Sequence, residues 1–231
     1  MPAMTDAAQT GGRAAAFFDL DGTMIPFNSA LKYARFEHRA KRIKMRHLVR
    51  SAVWLLLYRF SLADMNRAFK FAVEHYKGEQ EQQLFERTQS WFEAEVAPHL
   101  LTKAADAVTM HGGKGHPCVL LSSTSSYMAR SVLARWGLDD WLANVFPTDA
   151  DGALTGDFES PLCYGEGKVV RARRWAAENG VDLAKSWFYS DSYSDVPMLA
   201  AVGYPIVVNP DPRLRRHARK RGWPIELWTT P

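Results

Sequence analysis

Apolar positions along the chain follow two patterns. Short, nearly continuous apolar runs occur at residues 14–20 (AAAFFDL), 117–121 (PCVLL), 186–189 (SWFY) and 205–208 (PIVV), each ending in a polar residue or a turn. Strands of a parallel sheet read this way, because helices cover both faces and leave neither to water. Between the runs, apolar residues recur at helical spacing. In SLADMNRAFKFAVEHYKG, Ser61 and Asp64 form a capping box, Met65, Ala68, Phe69, Ala72, Val73 and Tyr76 make a stripe, and Gly78 ends it. A further helix sets Leu84, Phe85, Trp91 and Phe92 on one face and stops before Pro98, since the residue ahead of a proline avoids helical geometry. Helical patterns at about 99–111, 125–136, 166–180, 194–201 and 211–221 then alternate with the apolar runs. This order predicts a doubly wound α/β core of residues 14–25 and 96–231, with residues 26–95 inserted as an all-helical unit after the first strand. Residues 1–13 read as a loose tail, residues 148–158 as a hairpin around Asp151-Gly152, and GGKG at 112–115 as a helix-ending turn.

Composition adds bounds to this outline. A 231-residue chain that is 47% hydrophobic and 23% charged has the content of a globular protein. Two cysteines, Cys118 and Cys163, have no paired spacing, which points to a reducing, cytoplasmic setting without a disulfide framework. Net charge is +4 but uneven: eight basic residues between Lys32 and Arg50 face Glu37 alone, giving that stretch +7 and the remainder −3. Such a run is a solvated helix face or an attractor of anionic substrate or membrane surface. The uncharged SAVWLLLY at 51–58 would rise only about 12 Å as a helix against a hydrocarbon layer of about 30 Å, so it does not span one. A second basic patch, RLRRHARKR at 213–221, reads as a solvated last helix. Nothing there supplies a nucleic-acid motif.

Candidate chemistry sits where the predicted strands end. The first ends at Asp19, the second at Ser122 and the third at Asp191, with Asp195 four residues on. The carboxyl ends of strands in an open α/β sheet line its ligand crevice, so these groups should converge. Asp19 and Asp21, one residue apart, repel unless a positive charge lies between them or one holds a proton. GEGK at 165–168 lacks the earlier glycine and the following Ser or Thr of a nucleotide P-loop, and the histidines show no zinc spacing.

These residues carry a resemblance. FDLDGT (18–23), LLSST (120–124), GEGKV (165–169) and SDSYSDVPML (190–199) look like the four ordered motifs of the haloacid dehalogenase (HAD) superfamily, in its phosphoserine-phosphatase-like subfamily IB. VVNPDPRLRRHARKRGWPI at 207–225 is similar to the C-terminal signature of that subfamily. The resemblance implies a Rossmann-like parallel-sheet core with the helical insertion as a cap, and an Mg²⁺-dependent phosphatase. Asp19 would attack phosphorus to form an aspartyl-phosphate, and Asp21 would serve as general acid and then base. Mg²⁺ would be held by Asp19, the main-chain carbonyl of Asp21, and Asp191. Ser122 and Lys168 would bind phosphoryl oxygens, while Asp195 would orient Lys168 or a metal-bound water, or be a further ligand. The second acid, Asp21, separates phosphomonoester hydrolysis from dehalogenation and from cation pumping. A phosphotransferase stays open.

The expected substrate is a small phosphate ester of the amino-alcohol type, such as histidinol phosphate or phosphoserine. A lysophospholipid-like phosphate cleaved at a membrane surface is the alternative. Phosphoserine phosphatases carry a glutamate nine residues after the nucleophile, and here that position is Asn28, whose amide does not neutralise an ammonium. A non-catalytic binding module is the remote alternative.

Overall fold

The computed structural model describes residues 12–45 and 65–228. Six strands form one parallel sheet: β1 Ala16–Phe18, β2 Cys118–Ser125, β3 Asp140–Asn144, β4 Trp187–Ser190, β5 Tyr204–Val208 and β6 Ile225–Glu226. Their spatial order is β3-β2-β1-β4-β5-β6, so β1 lies in the middle. Phe18 pairs with Leu120 of β2 on one side and Tyr189 of β4 on the other.

The apolar run that builds β1 feeds both faces of the sheet, because side chains alternate along a strand. Ala16 and Phe18 belong to one core with Met128 and Val132, whereas Ala15 and Phe17 belong to a second with Trp175, Met198 and Leu214. The first face is covered by α4 (Thr102–Gly113) and α5 (Ser126–Trp136), and the second by α6 (Glu166–Glu178), α7 (Val196–Ala201) and α8 (Pro212–Arg221). Phe17 and Phe18 are fully buried, each worth about 1.5–3 kcal/mol relative to exposure.

Between β1 and β2 stand α1 (Ser29–Arg39), α2 (Met65–Glu74) and α3 (Glu81–Glu95). The predicted stripe of α3 is buried at Leu84, Trp91 and Phe92, and the last two join the same core as Phe18. A further contact ties this insertion to the sheet domain through main chain. The loop between α2 and α3 lies alongside the 148–154 hairpin: Gly78 N donates to Leu154 O (2.8 Å), Leu154 N to Glu79 O (2.8 Å) and Glu81 N to Gly152 O (3.0 Å). Lys70 adds a hydrogen bond from Nζ to Gly156 O at 2.9 Å.

The proposed capping box at Ser61 and Asp64, the SAVWLLLY run and nearly all of the N-terminal tail lie outside the described residues. The apolar runs predicted as strands became β1, β2, β4 and β5. Strands β3 and β6 were not foreseen, and both are sheet edges.

Candidate active site

The turn after β1 is wound tightly around one carbonyl. Leu20 O accepts from Thr23 N (3.3 Å), Met24 N (2.8 Å) and Ile25 N (3.1 Å), and Gly22 sits at φ +74° in the left-handed region that glycine enters without steric cost. A Cβ at Gly22 would also lie 2.3 Å from Asp191 Oδ2, so the Asp191 carboxylate would have to move away. This glycine therefore lets the Asp191 carboxylate lie directly against the turn that carries Asp21. Thr23 contributes to the turn through its backbone only. The Thr23 hydroxyl is buried and makes no hydrogen bond within the protein.

Lys168 enters from the first turn of α6. Its helix can approach closely because Gly167 packs against main chain: a Cβ there would meet Leu162 O at 1.9 Å. The Lys168 side chain is 1% exposed, and Nζ donates to Asp19 Oδ1 at 3.0 Å and Asp195 Oδ2 at 2.7 Å. Ser190 Oγ donates to that same Asp195 oxygen at 2.7 Å. Burial works against the ammonium, but Asp19 and Asp195 outweigh it and raise the lysine pKa above its ordinary value. Asp195 is itself raised by burial, with Lys168 pulling the other way.

The two acids of the opening turn have different surroundings. Asp19 faces the Lys168 ammonium. Asp21 is pushed up to about 7, chiefly by burial and further by the charge of Asp19, against hydrogen bonds from the Ser29 side chain and backbone. Asp191 stands well above the ordinary carboxyl range because of burial and then the neighbouring charges of Asp19, Asp195 and Asp21. Four carboxyl groups thus surround one ammonium. Asp21 Oδ1 is also buried without a hydrogen-bond partner.

That surplus of oxygen and negative charge fits a hard divalent cation, which favours such ligands. Among the described residues no three or more His, Cys, Asp or Glu side chains form a ready metal cage. The ligand set that the family resemblance implies needs two carboxylates and a main-chain carbonyl, which is a different arrangement.

Geometry thus brings Asp19, Lys168 and Asp195 into direct contact, and Asp191 and Asp21 beside them. Ser122 lies 3% exposed two residues beyond the Leu120 that pairs with Phe18, and its hydroxyl accepts from Thr124 N at 3.4 Å. Asn28 is engaged elsewhere: its Oδ1 accepts from Leu31 N at 2.9 Å as the N-cap of α1.

Sequence reasoning missed Asn144. This side chain is 1% exposed; its Nδ2 donates to Ser123 O (2.8 Å) and its Oδ1 accepts from Cys163 N (2.8 Å), while Ser123 Oγ donates to Cys163 O (2.8 Å). The C-terminal end of β2, which bears Ser122, is thereby fastened to the loop that leads into Lys168. Ser29 and Ser190, the partners of Asp21 and Asp195, were also missed in these parts.

A model of the haloacid dehalogenase-like hydrolases matches residues 16–200. The chain belongs to that family. This HAD hydrolase is 31% identical over 216 residues to the protein named phosphoserine phosphatase SerB1 of Mycobacterium tuberculosis, covering 92% of this chain and 70% of that one. It is 27% identical over 214 residues to the histidinol-phosphatase of Neisseria meningitidis, covering 91% and 96%. Among solved structures, a Bordetella pertussis protein of unknown function superposes with a TM-score of 0.83 at 32% identity, covering 93% of this chain and 98% of that one. A phospho-aspartyl intermediate analogue of phosphoserine phosphatase gives a TM-score of 0.69 at 17% identity, with 94% of each chain covered, which shows the shared fold. The HAD hydrolase is a phosphatase by its family and named relatives.

Proposed function

We propose that this phosphatase hydrolyses a small phosphomonoester through an aspartyl-phosphate on Asp19. The observation that carries the reading is the division between the two acids of one turn. Asp19 is paired with the Lys168 ammonium, while Asp21 keeps its proton to about pH 7. A nucleophile and a proton donor are the two groups that displacement of an alcohol from phosphorus requires.

In the first half-reaction an Asp19 oxygen forms the bond to phosphorus as the ester oxygen leaves, and that oxygen takes the Asp21 proton. In the second, Asp21 accepts a proton from water, the hydroxide oxygen bonds to phosphorus, and the Asp19–phosphorus bond breaks to release phosphate. Lys168 offsets negative charge on the transferring oxygens, with Ser122 as a further donor. Asp195 and Ser190 hold Lys168 in place. Mg²⁺, bound by Asp19, the Asp21 carbonyl and Asp191, would supply positive charge to the phosphoryl group.

For the substrate we propose an amino-alcohol phosphate such as histidinol phosphate or phosphoserine, in line with the activities named for the two relatives. One observation tells against the membrane-surface alternative. Within the basic run, Lys32 donates to Glu95 O, Arg39 pairs with Glu95 and Arg42 with Glu37, so three of the six described basic groups are engaged within the protein. We place residues 26–95 as a cap over the site and the enzyme in the cytoplasm. Among the described residues no helix is long and apolar enough to cross a membrane.

The purified chain with Mg²⁺ should release phosphate from a panel containing histidinol phosphate, phosphoserine and lysophosphatidate, with one of the first two preferred. Asp19→Asn should lower the rate by at least about 10³-fold, the scale of losing a covalent nucleophile. No release across the panel, or undiminished release by Asp19→Asn, would overturn the proposal.

A further inference from the structure

Both acidic loops of the site touch one segment that the chemistry above does not use, the Asn209-Pro210-Asp211 loop after β5. Among the described residues only Lys41 and Asn209 have a positive φ without being glycine, and Asn209 sits at 44°. Asparagine tolerates this geometry at a cost of about 1 kcal/mol or more, and such residues persist where their surroundings hold them.

The surroundings of Asn209 are specific. Its Nδ2 donates to Gly22 O (3.3 Å) and to Trp228 O (3.5 Å), and its Oδ1 accepts from Trp228 N (2.7 Å). Its backbone N donates to Glu226 O at 3.0 Å, beside β6. Two residues on, Asp211 N donates to Asp191 O at 3.0 Å, and Asp211 Oδ2 accepts from Tyr193 N at 2.8 Å. Asp211 Oδ1 meanwhile caps α8 through Arg213 N (2.7 Å) and Leu214 N (2.9 Å). One three-residue segment therefore grips the turn that carries Asp21 and the loop that carries Asp191, and is itself fixed to β6 and α8. The two gripped loops are the pair that meet where a Cβ on Gly22 would strike Asp191 Oδ2.

We infer that residues 209–211 are a positioning brace that sets the spacing between the Asp19–Asp21 turn and Asp191, and so the affinity of the site for a divalent cation. The inference rests on the cation role given above to those aspartates. Asn209 and Asp211 need not touch the cation or the substrate. They act through the carbonyls of Gly22 and Asp191 and the amide of Tyr193.

Mn²⁺, which takes the same octahedral oxygen coordination as Mg²⁺, can be titrated directly by the electron paramagnetic resonance of the free ion. The wild type is compared with Asn209→Gly, Asn209→Ala, Asp211→Asn and Asp191→Asn at a temperature where circular dichroism shows each folded. Glycine removes the side chain and the positive-φ cost together, whereas alanine removes the side chain and keeps that cost, so the pair separates the side-chain hydrogen bonds from backbone strain. Both Asn209 variants should bind Mn²⁺ about threefold to tenfold more weakly, the scale of losing the one side-chain hydrogen bond that reaches the turn, Nδ2 to Gly22 O. Asp211→Asn, which keeps the α8 cap but turns an amide toward Tyr193 N, should also weaken it.

An Asn209→Gly chain that is folded and binds Mn²⁺ within 1.5-fold of wild type overturns the brace, leaving Asn209 only as an anchor for Trp228. If that variant does not fold, Asp211→Asn decides by the same limit. Asp191→Asn separates the two failures. Wild-type binding by Asp191→Asn sinks the cation role and the brace with it, whereas loss in Asp191→Asn with none in Asn209→Gly removes the brace alone.

Discussion

In the cation-free chain the Asp21 carboxyl holds its proton to about pH 7, against an ordinary value of 3.8. Between those two values the folded protein binds a proton that the unfolded chain has released. The stability tied to this group is therefore complete below about pH 4 and lost as the pH rises through 7. Asp21→Asn, which has no charge to bury, should be more stable than wild type in EDTA at pH 8, with the gap narrowing toward pH 4. Urea unfolding at several pH values measures it, and a gap independent of pH would contradict the burial of this acid. Lys168 presents the opposite case. Replacing it by methionine strands Asp19 and Asp195 without their shared cation, and the loss of one partner of a buried pair costs about 3–5 kcal/mol. Adding Asp195→Asn to Lys168→Met should recover part of that stability in the same assay, and no recovery would show that the pair is not coupled. Asp19, Asp21 and Asp195 were legible in the sequence because they lie at or shortly after strand-like apolar runs, whereas Lys168 was legible through GEGKV at a helix start. The parts played by Asn144 and Asn209 were not, although Asn209 falls within the 207–225 stretch. They work through side-chain bonds to distant main chain, across 187 residues in the case of Asn209 and Gly22, and no local pattern announces such a bond.

Among the elements, α6 depends most visibly on a close approach. A methyl group on Gly167 would sit 1.9 Å from Leu162 O, a backbone atom that cannot rotate away. Gly167→Ala should therefore cost about 1–3 kcal/mol by overpacking and shift the helix turn that bears Lys168, so thermal melting and activity should fall together. A variant with unchanged melting temperature would refute that contact. The same scale shows why some strands were legible and others not. β1, β2, β4 and β5 have neighbours on both sides and are built from apolar runs. The edge strand β3 reads DWLAN, with Asp140, Trp141 and Leu142 only partly buried, and β6 has two residues, of which Glu226 is exposed. An edge buries less, so selection on the core leaves a weaker apolar signal there.

For the molecule as a whole, the order β3-β2-β1-β4-β5-β6 delivers the strand ends next to one another, which is why widely separated motifs meet at one place. The insertion between β1 and β2 is held at more than its two chain ends. The hydrogen bonds linking Gly78, Glu79 and Glu81 to Gly152 and Leu154 fasten its α2–α3 loop to the sheet domain. Hydrogen exchange should find the Gly78, Glu81 and Leu154 amides protected, and an unreactive phosphate analogue should alter α1, whose Ser29 meets Asp21, while leaving those three unchanged. Slowed exchange at all three on adding the analogue would instead indicate that the whole insertion moves as one body. The four carboxyl groups around the single ammonium have a kinetic corollary. The ion pairs of Lys168 with Asp19 and Asp195 leave no positive charge in excess, Asp21 and Asp191 add none, and a phosphomonoester arrives carrying about −1.5 to −2 at neutral pH. An ester approaching that pocket alone meets net repulsion, so the sequence of arrival matters: the ester should be second in the queue, and its apparent KM should climb steeply as free Mg²⁺ is lowered.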